Sequence, residues 1–196
     1  MGKPSDRERP RAVKSHPGDI DAKGRGRAPA ERGMKEETGN GPPEAIDWKL
    51  HGVKVIPGDR LDPNTAQTPG MHREAAINLA RVGAQKIWAG TVTVEANAKT
   101  GAHHHGALES VIYVVKGRAR MRWGERLEFV AEAGPGDFIF VPPYVPHQEI
   151  NASTDEKLEC VLVRSDNEAV VVNLNIDAVE KPQAVAWIDP IHKART

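Results

Sequence analysis

A chain of 196 residues is long enough for one ordinary domain and too short for two comfortable ones, so a single core is expected. Acidic and basic residues balance at 27 each, which leaves no global field to attract nucleic acid or an anionic membrane; any charged ligand must be held by a local site. The only cysteine, Cys160, excludes an intramolecular disulfide, and neither an apolar leader nor a run of about 18 apolar residues is written, so a soluble cytoplasmic protein is expected.

Residues 1–45 are rich in Pro, Gly and mixed charges and carry almost no large apolar side chains. Such a segment cannot bury enough surface to offset its ordering entropy, and a disordered tail is expected. Residues 46–85 read as an N-terminal arm. IDWKLHGVKVIPGD suits one or two short strands broken by Gly and Pro, and the alanine-rich REAAINLARVGA, residues 73–84, suits a short helix. From residue 86 to 196 the pattern changes to short β-branched or aromatic runs separated by turn signals such as Lys116-Gly117, Trp123-Gly124 and Pro135-Gly136. That spacing predicts an all-β antiparallel sandwich or barrel, with the final VAWIDPIHK returning as an irregular strand that leaves Trp187 outside.

The run TGAHHHGALESVIYVVKG places three consecutive histidines at the start of this region. Strand periodicity puts His103 and His105 on one face and His104 on the other. Glu109 follows four residues later, and a strand through Val111, Tyr113 and Val115 would keep it facing inward. Two neutral imidazoles and a carboxylate are what a divalent first-row metal prefers, and GDFIFVPPYVPHQEIN offers His147 as a further ligand.

These residues resemble the cupin superfamily, whose first motif is G(X)5HXH(X)3,4E(X)6G and whose second is G(X)5PXG(X)2H(X)3N. The second matches at Gly136, Pro142, His147 and Asn151, with Tyr144 in place of Gly. The first matches at His103, His105, Glu109 and Gly117, with Asn97 in place of the opening Gly and one extra residue before Gly117. Asn tolerates the left-handed backbone that the opening Gly supplies, and the extra residue suggests a bulge. The resemblance implies a small jelly-roll β-barrel of the RmlC-like kind. Inside it, His103, His105, Glu109 and His147 would hold a metal with two positions open, Mn or Fe before Co, Ni or Zn. It also implies a homodimer.

More narrowly, the run from residue 100 to 151 is similar to bacterial single-domain cupins that include 1-methylthioxylulose 5-phosphate methylsulfurylases. That resemblance implies a metal-dependent release of methanethiol, with a thiol such as glutathione as co-substrate and 1-deoxyxylulose 5-phosphate as product. Cys160 would be a nucleophile if Leu158, Cys160 and Leu162 face inward, and is otherwise an apolar filler. Glu149 shares the parity of His147 and Tyr113 that of Glu109, so either could return a proton to carbon, while Tyr113 could equally be core packing. Tyr144, Arg118, Arg120 and Lys86 are candidate substrate ligands, with His72 and Arg73 as alternatives should the arm fold over the mouth. The arginine row also suits a solvated edge. An iron-dependent dioxygenase and a non-catalytic sugar or metabolite sensor are the rival readings on the same scaffold.

Overall fold

The protein is described here by a computed structural model over residues 46–168 and 170–187. The expected tail and the end of the C-terminal return lie outside the described residues. The arm begins with a single helical turn, α1, Trp48–His51, where Asp47 caps the chain by accepting from the Lys49 amide at 2.9 Å. A 3-10 turn follows at Gly58–Arg60. No strand forms between 46 and 70; besides these two turns the segment makes only isolated bridges, Asp62 with Ala75 and Thr68 with Met71. Among the described residues no helix is long and apolar enough to cross a membrane.

The strands are β1 Met71–Ile77, β2 Trp88–Val94, β3 His103–His104, β4 Ser110–Lys116, β5 Ala119–Trp123, β6 Phe129–Ala133, β7 Phe138–Val141, β8 His147–Asn151, β9 Leu158–Arg164, β10 Val172–Asn173 and β11 Gln183–Ala184. They form two sheets, ordered β1-β2-β9-β4-β7 and β10-β3-β8-β5-β6-β11, in which every pairing is antiparallel except β11 with β6. Their inner faces enclose the core, and Trp187 stands outside it, as expected.

The helix expected over 73–84 is mostly strand. Met71 and Ala75 are both buried with Arg73 between them, a period of two that docks onto β2. Helix survives only as α2, Leu79–Val82, which Asn78 caps and Gly83 ends with φ 77°. The barrel wall thus starts at Met71, some fifteen residues before the sequence reading put it.

Leu158, Cys160, Leu162 and Arg164 alternate inward along β9, flanked by Val92 and Val94 of β2 and by Ile112 and Val114 of β4. Each fully buried aliphatic side chain here contributes roughly 1.5–3 kcal/mol relative to exposure. Asn151 fastens one end of the barrel. Its Nδ2 donates to the carbonyls of Val94, Glu95 and Glu156, and its Oδ1 accepts from the Ser153 amide. The bulge expected before Gly117 is present: pairing of β4 with β9 shifts between Val114 and Lys116, and Gly117 follows with φ 86°. Asn97 takes φ 60°, the left-handed conformation expected of it.

Candidate metal centre

The centre is assembled from two neighbouring segments. His103 in β3 pairs directly with His147, the first residue of β8, and the strand's alternation puts Glu149 on the same inner face. His105 follows β3, just ahead of a tight turn in which the Leu108 amide donates to the His105 carbonyl and Gly106 takes φ 59°. One nitrogen from each imidazole and one carboxylate oxygen of Glu149 all lie within 4.8 Å of one another. The ring centroids of the three histidines are 4.4–5.1 Å apart.

The tautomers follow from their partners. Each Nδ1 lies beside a backbone carbonyl, which can only accept: His103 with Gly101 at 2.9 Å, His105 with Val170 at 2.8 Å, and His147 with Val145 at 2.9 Å. Each Nδ1 therefore carries the proton, and each Nε2 presents a lone pair. The Nε2 of His147 is buried without any partner. Three oriented imidazole lone pairs, one of them orphaned, beside a carboxylate form a donor set that fits a divalent transition ion.

Electrostatics favour the ligating state of His105, His147 and Glu149. Burial, reinforced by the nearby Arg164 guanidinium, pushes His105 down to about 3. Burial likewise lowers His147. Around Glu149 burial opposes the charge, but His147 and His103 when protonated, together with the Arg73 guanidinium, outweigh it and hold the carboxyl below its ordinary range. His105 and His147 are thus held toward the neutral form and Glu149 toward the ionised one, so an ion need displace few protons there.

Glu109, expected as the fourth ligand, is exposed and stands outside this cluster. The turn after His105 resets the alternation. Leu108, Ser110, Ile112 and Val114 face the core, and Val111 and Val115 face out. Tyr113 shares the outward parity, its ring 4.8 Å from Phe138, so it does not line the cavity. The carboxylate of the cluster is instead that of Glu149. His104 points away from the cluster, as the parity predicts; its Nδ1 accepts from the Gly106 amide, and its ring lies 6.0 Å from that of Tyr144.

The remaining candidates disperse. Tyr144 is exposed with φ 60° in the turn before β8. Arg118 and Arg120 clasp Glu132 on the outer surface at 3.1 and 2.7 Å, as a solvated edge, and the two guanidiniums hold the Glu132 carboxyl low. Lys86 is exposed, and His72 lies on the surface 3.7 Å from Glu95. Cys160 does face inward, beside Glu149 on a cavity of about 30 Å³, but burial and the Glu149 charge push its thiol up to about 12. Buried in the apolar core and pushed toward its protonated form, this thiol fits core packing better than a poised nucleophile.

Two arginines complete the centre. Arg164, at the end of β9, reaches its Nη2 to within 3.3 Å of the His105 Nε2. Arg73, from β1, and Arg164 both line an open cavity of about 580 Å³ whose wall includes residues 64–69; Arg73 also lines the small inner cavity with Glu149. Arg73 was legible as an alternative anion ligand. Arg164 was missed, although the run LECVLVR placed it on the inward parity of Leu158 and Leu162.

Residues 90–164 match the family model of the cupin domain. The two-sheet barrel has the fold of a single cupin β-barrel. No curated protein matches the chain. Among solved structures it is similar to peruvianin-I, a cysteine peptidase from Thevetia peruviana latex, with a TM-score of 0.53 and 12% identity over 69% of this chain and 83% of that one. It is also similar to a variant of Bacillus subtilis oxalate decarboxylase, with a TM-score of 0.48 and 25% identity over 59% of this chain. The matched part spans only 31% of that decarboxylase chain. KdgF from Halomonas sp. gives a TM-score of 0.49 and 17% identity over 60% of this chain and 96% of that one.

Proposed function

We propose that this chain is a metal-dependent cupin enzyme in which His103, His105, His147 and Glu149 hold a divalent ion, Mn²⁺ or Fe²⁺ before Co²⁺, Ni²⁺ or Zn²⁺. The convergence of three fixed Nε2 lone pairs, with that of His147 buried and unpartnered, carries this reading. When bound, such an ion supplies Lewis-acid polarisation of a substrate oxygen. The protein contributes ring orientation through the three Nδ1 hydrogen bonds, and an apolar wall that includes Met121, Ile112 and Leu162 to exclude water.

Within that class, the resemblance of the two histidine motifs favours thiol-dependent dethiomethylation of 1-methylthioxylulose 5-phosphate. The thiolate sulfur of a co-substrate such as glutathione would bond to the methylthio sulfur as the C1–S bond breaks. The electron pair stays on C1, which then takes a proton, and a second thiol releases methanethiol from the mixed disulfide. Cys160 keeps its proton in this environment, so the attacking sulfur belongs to the co-substrate.

The test is anaerobic turnover of the metal-loaded chain with both substrates, following methanethiol and 1-deoxyxylulose 5-phosphate by mass spectrometry against a chelated control. Chelator-sensitive formation of both products is expected. Absence of product with Mn²⁺, Fe²⁺ and Co²⁺ alike would overturn the specific reaction.

A further inference from the structure

The two arginines at the mouth carry more charge than their surroundings answer. Arg164 is 9% exposed, and its Nε is buried without a partner. Arg73 donates from Nη1 to Thr68 Oγ1 at 2.9 Å and to the Ala66 carbonyl at 3.3 Å, its Nη2 lies 3.9 Å from Met71 Sδ, and its Nε is likewise buried and unpartnered. Among the described residues neither guanidinium forms an ion pair. Asp166 and Glu168, on the rim of the same mouth, are exposed, and Glu149 is the inward carboxylate that both arginines sense. Two cations lining one cavity, answered by one inward carboxylate, are costly to bury.

We infer that Arg73 and Arg164 form an oxyanion subsite beside the metal centre, which takes the carboxylate or phosphate group of a substrate carrying two negative charges. The inference rests on the metal reading above and deepens it. A divalent ion and two guanidiniums exceed the charge of Glu149 by three, so a dianion neutralises most of the excess.

The contact between Arg164 and His105 adds a coupling. The lone pair that accepts from Arg164 Nη2 is the one His105 would give to an ion. Metal loading therefore removes the partner of Nη2 and leaves it beside the already unpartnered Nε. Adjacent guanidinium N–H groups of this kind grip two oxygens of one oxyanion. Metal and anion should consequently bind with positive coupling.

Calorimetric titration of the full chain, metal-free and Mn²⁺-loaded, with inorganic phosphate and separately with malonate tests this, the two probes distinguishing phosphate from carboxylate preference. Loaded wild-type protein is expected to bind one of them at least about tenfold more tightly than the metal-free form. Arg164→Gln should lose about 10- to 100-fold in anion affinity, the size of a charge-assisted contact, while Mn²⁺ affinity stays level or rises. Arg164→Lys, which keeps the charge and loses the fork, should fall between the two. Arg73→Gln should also weaken the anion, and circular dichroism checks that each variant is folded. Anion binding unchanged in folded Arg164→Gln and Arg73→Gln would overturn the subsite. Failure of wild-type protein to take up Mn²⁺ would instead strike the metal reading, and a loss of phosphate binding in the metal-free variants would still support the arginines.

Discussion

Acidification of the metal-free protein should weaken the fold through His105. The side chain is 4% exposed, and burial beside Arg164 pushes it down to about 3, against an ordinary value of 6.5. Below about pH 6.5 the unfolded chain binds a proton there that the folded chain refuses. The stability this group supplies is thus complete above 6.5 and is lost as pH falls toward 3. One such proton changes stability by about 1.4 kcal/mol per pH unit, so about 2 kcal/mol disappears between pH 6.5 and 5. His147 is shifted in the same direction and adds to the loss. Glu149 and Glu132 are held low, so their contributions fade only below about 4.5, outside this window. Urea unfolding in the presence of a chelator, at about pH 7 and pH 5, measures the slope. Wild-type protein should lose roughly 2–4 kcal/mol, and His105→Gln should lose about 2 kcal/mol less. An identical pH dependence in the variant would refute the account of His105.

Other consequences concern the frame around the centre. Cys160→Ser should leave turnover intact and cost about 1–3 kcal/mol, because a hydroxyl replaces a thiol in an apolar wall; native Cys160 should also resist a thiol reagent at pH 8 until the chain is unfolded. A variant whose turnover collapses while its stability holds would restore the cysteine to the chemistry. Asn151→Ala removes three carbonyl partners at once and should lower stability by roughly 2–4 kcal/mol in denaturant, with the metal site retained once folded. Gly117→Ala should cost at least about 1 kcal/mol, since φ is 86° and the new Cβ would stand 2.7 Å from the Lys157 carbonyl oxygen. A melting temperature unchanged from wild type would contradict the left-handed turn at that glycine.

Much of this was legible wherever side-chain period and turn chemistry agreed. The all-β class followed from short β-branched runs between Gly and Pro signals, and the pairing of His103, His105 and His147 followed from alternation and the two motifs. Asn97 and the bulge before Gly117 were readable because each answers a local backbone demand. Errors arose where parity was carried across a turn. The bend at Gly106 shifts the inward register by one residue, so Glu109 and Tyr113 face out while Ser110 faces in. Residues 73–84 misled because alanine favours helix locally, whereas docking against β2 buries Met71 and Ala75 with a period of two. Arg164 escaped notice because its role depends on the fold bringing the end of β9 beside His105, a contact between residues 59 positions apart.

The most direct test of the centre is metal stoichiometry and affinity, by calorimetry with elemental analysis, for wild-type protein, His147→Ala, Glu149→Gln and Glu109→Gln. One divalent ion per chain is expected in wild type, lost in His147→Ala, weakened at least about tenfold in Glu149→Gln and unchanged in Glu109→Gln. An ion that depends on Glu109 and ignores Glu149, or a wild-type chain that takes up none, would contradict the centre described here.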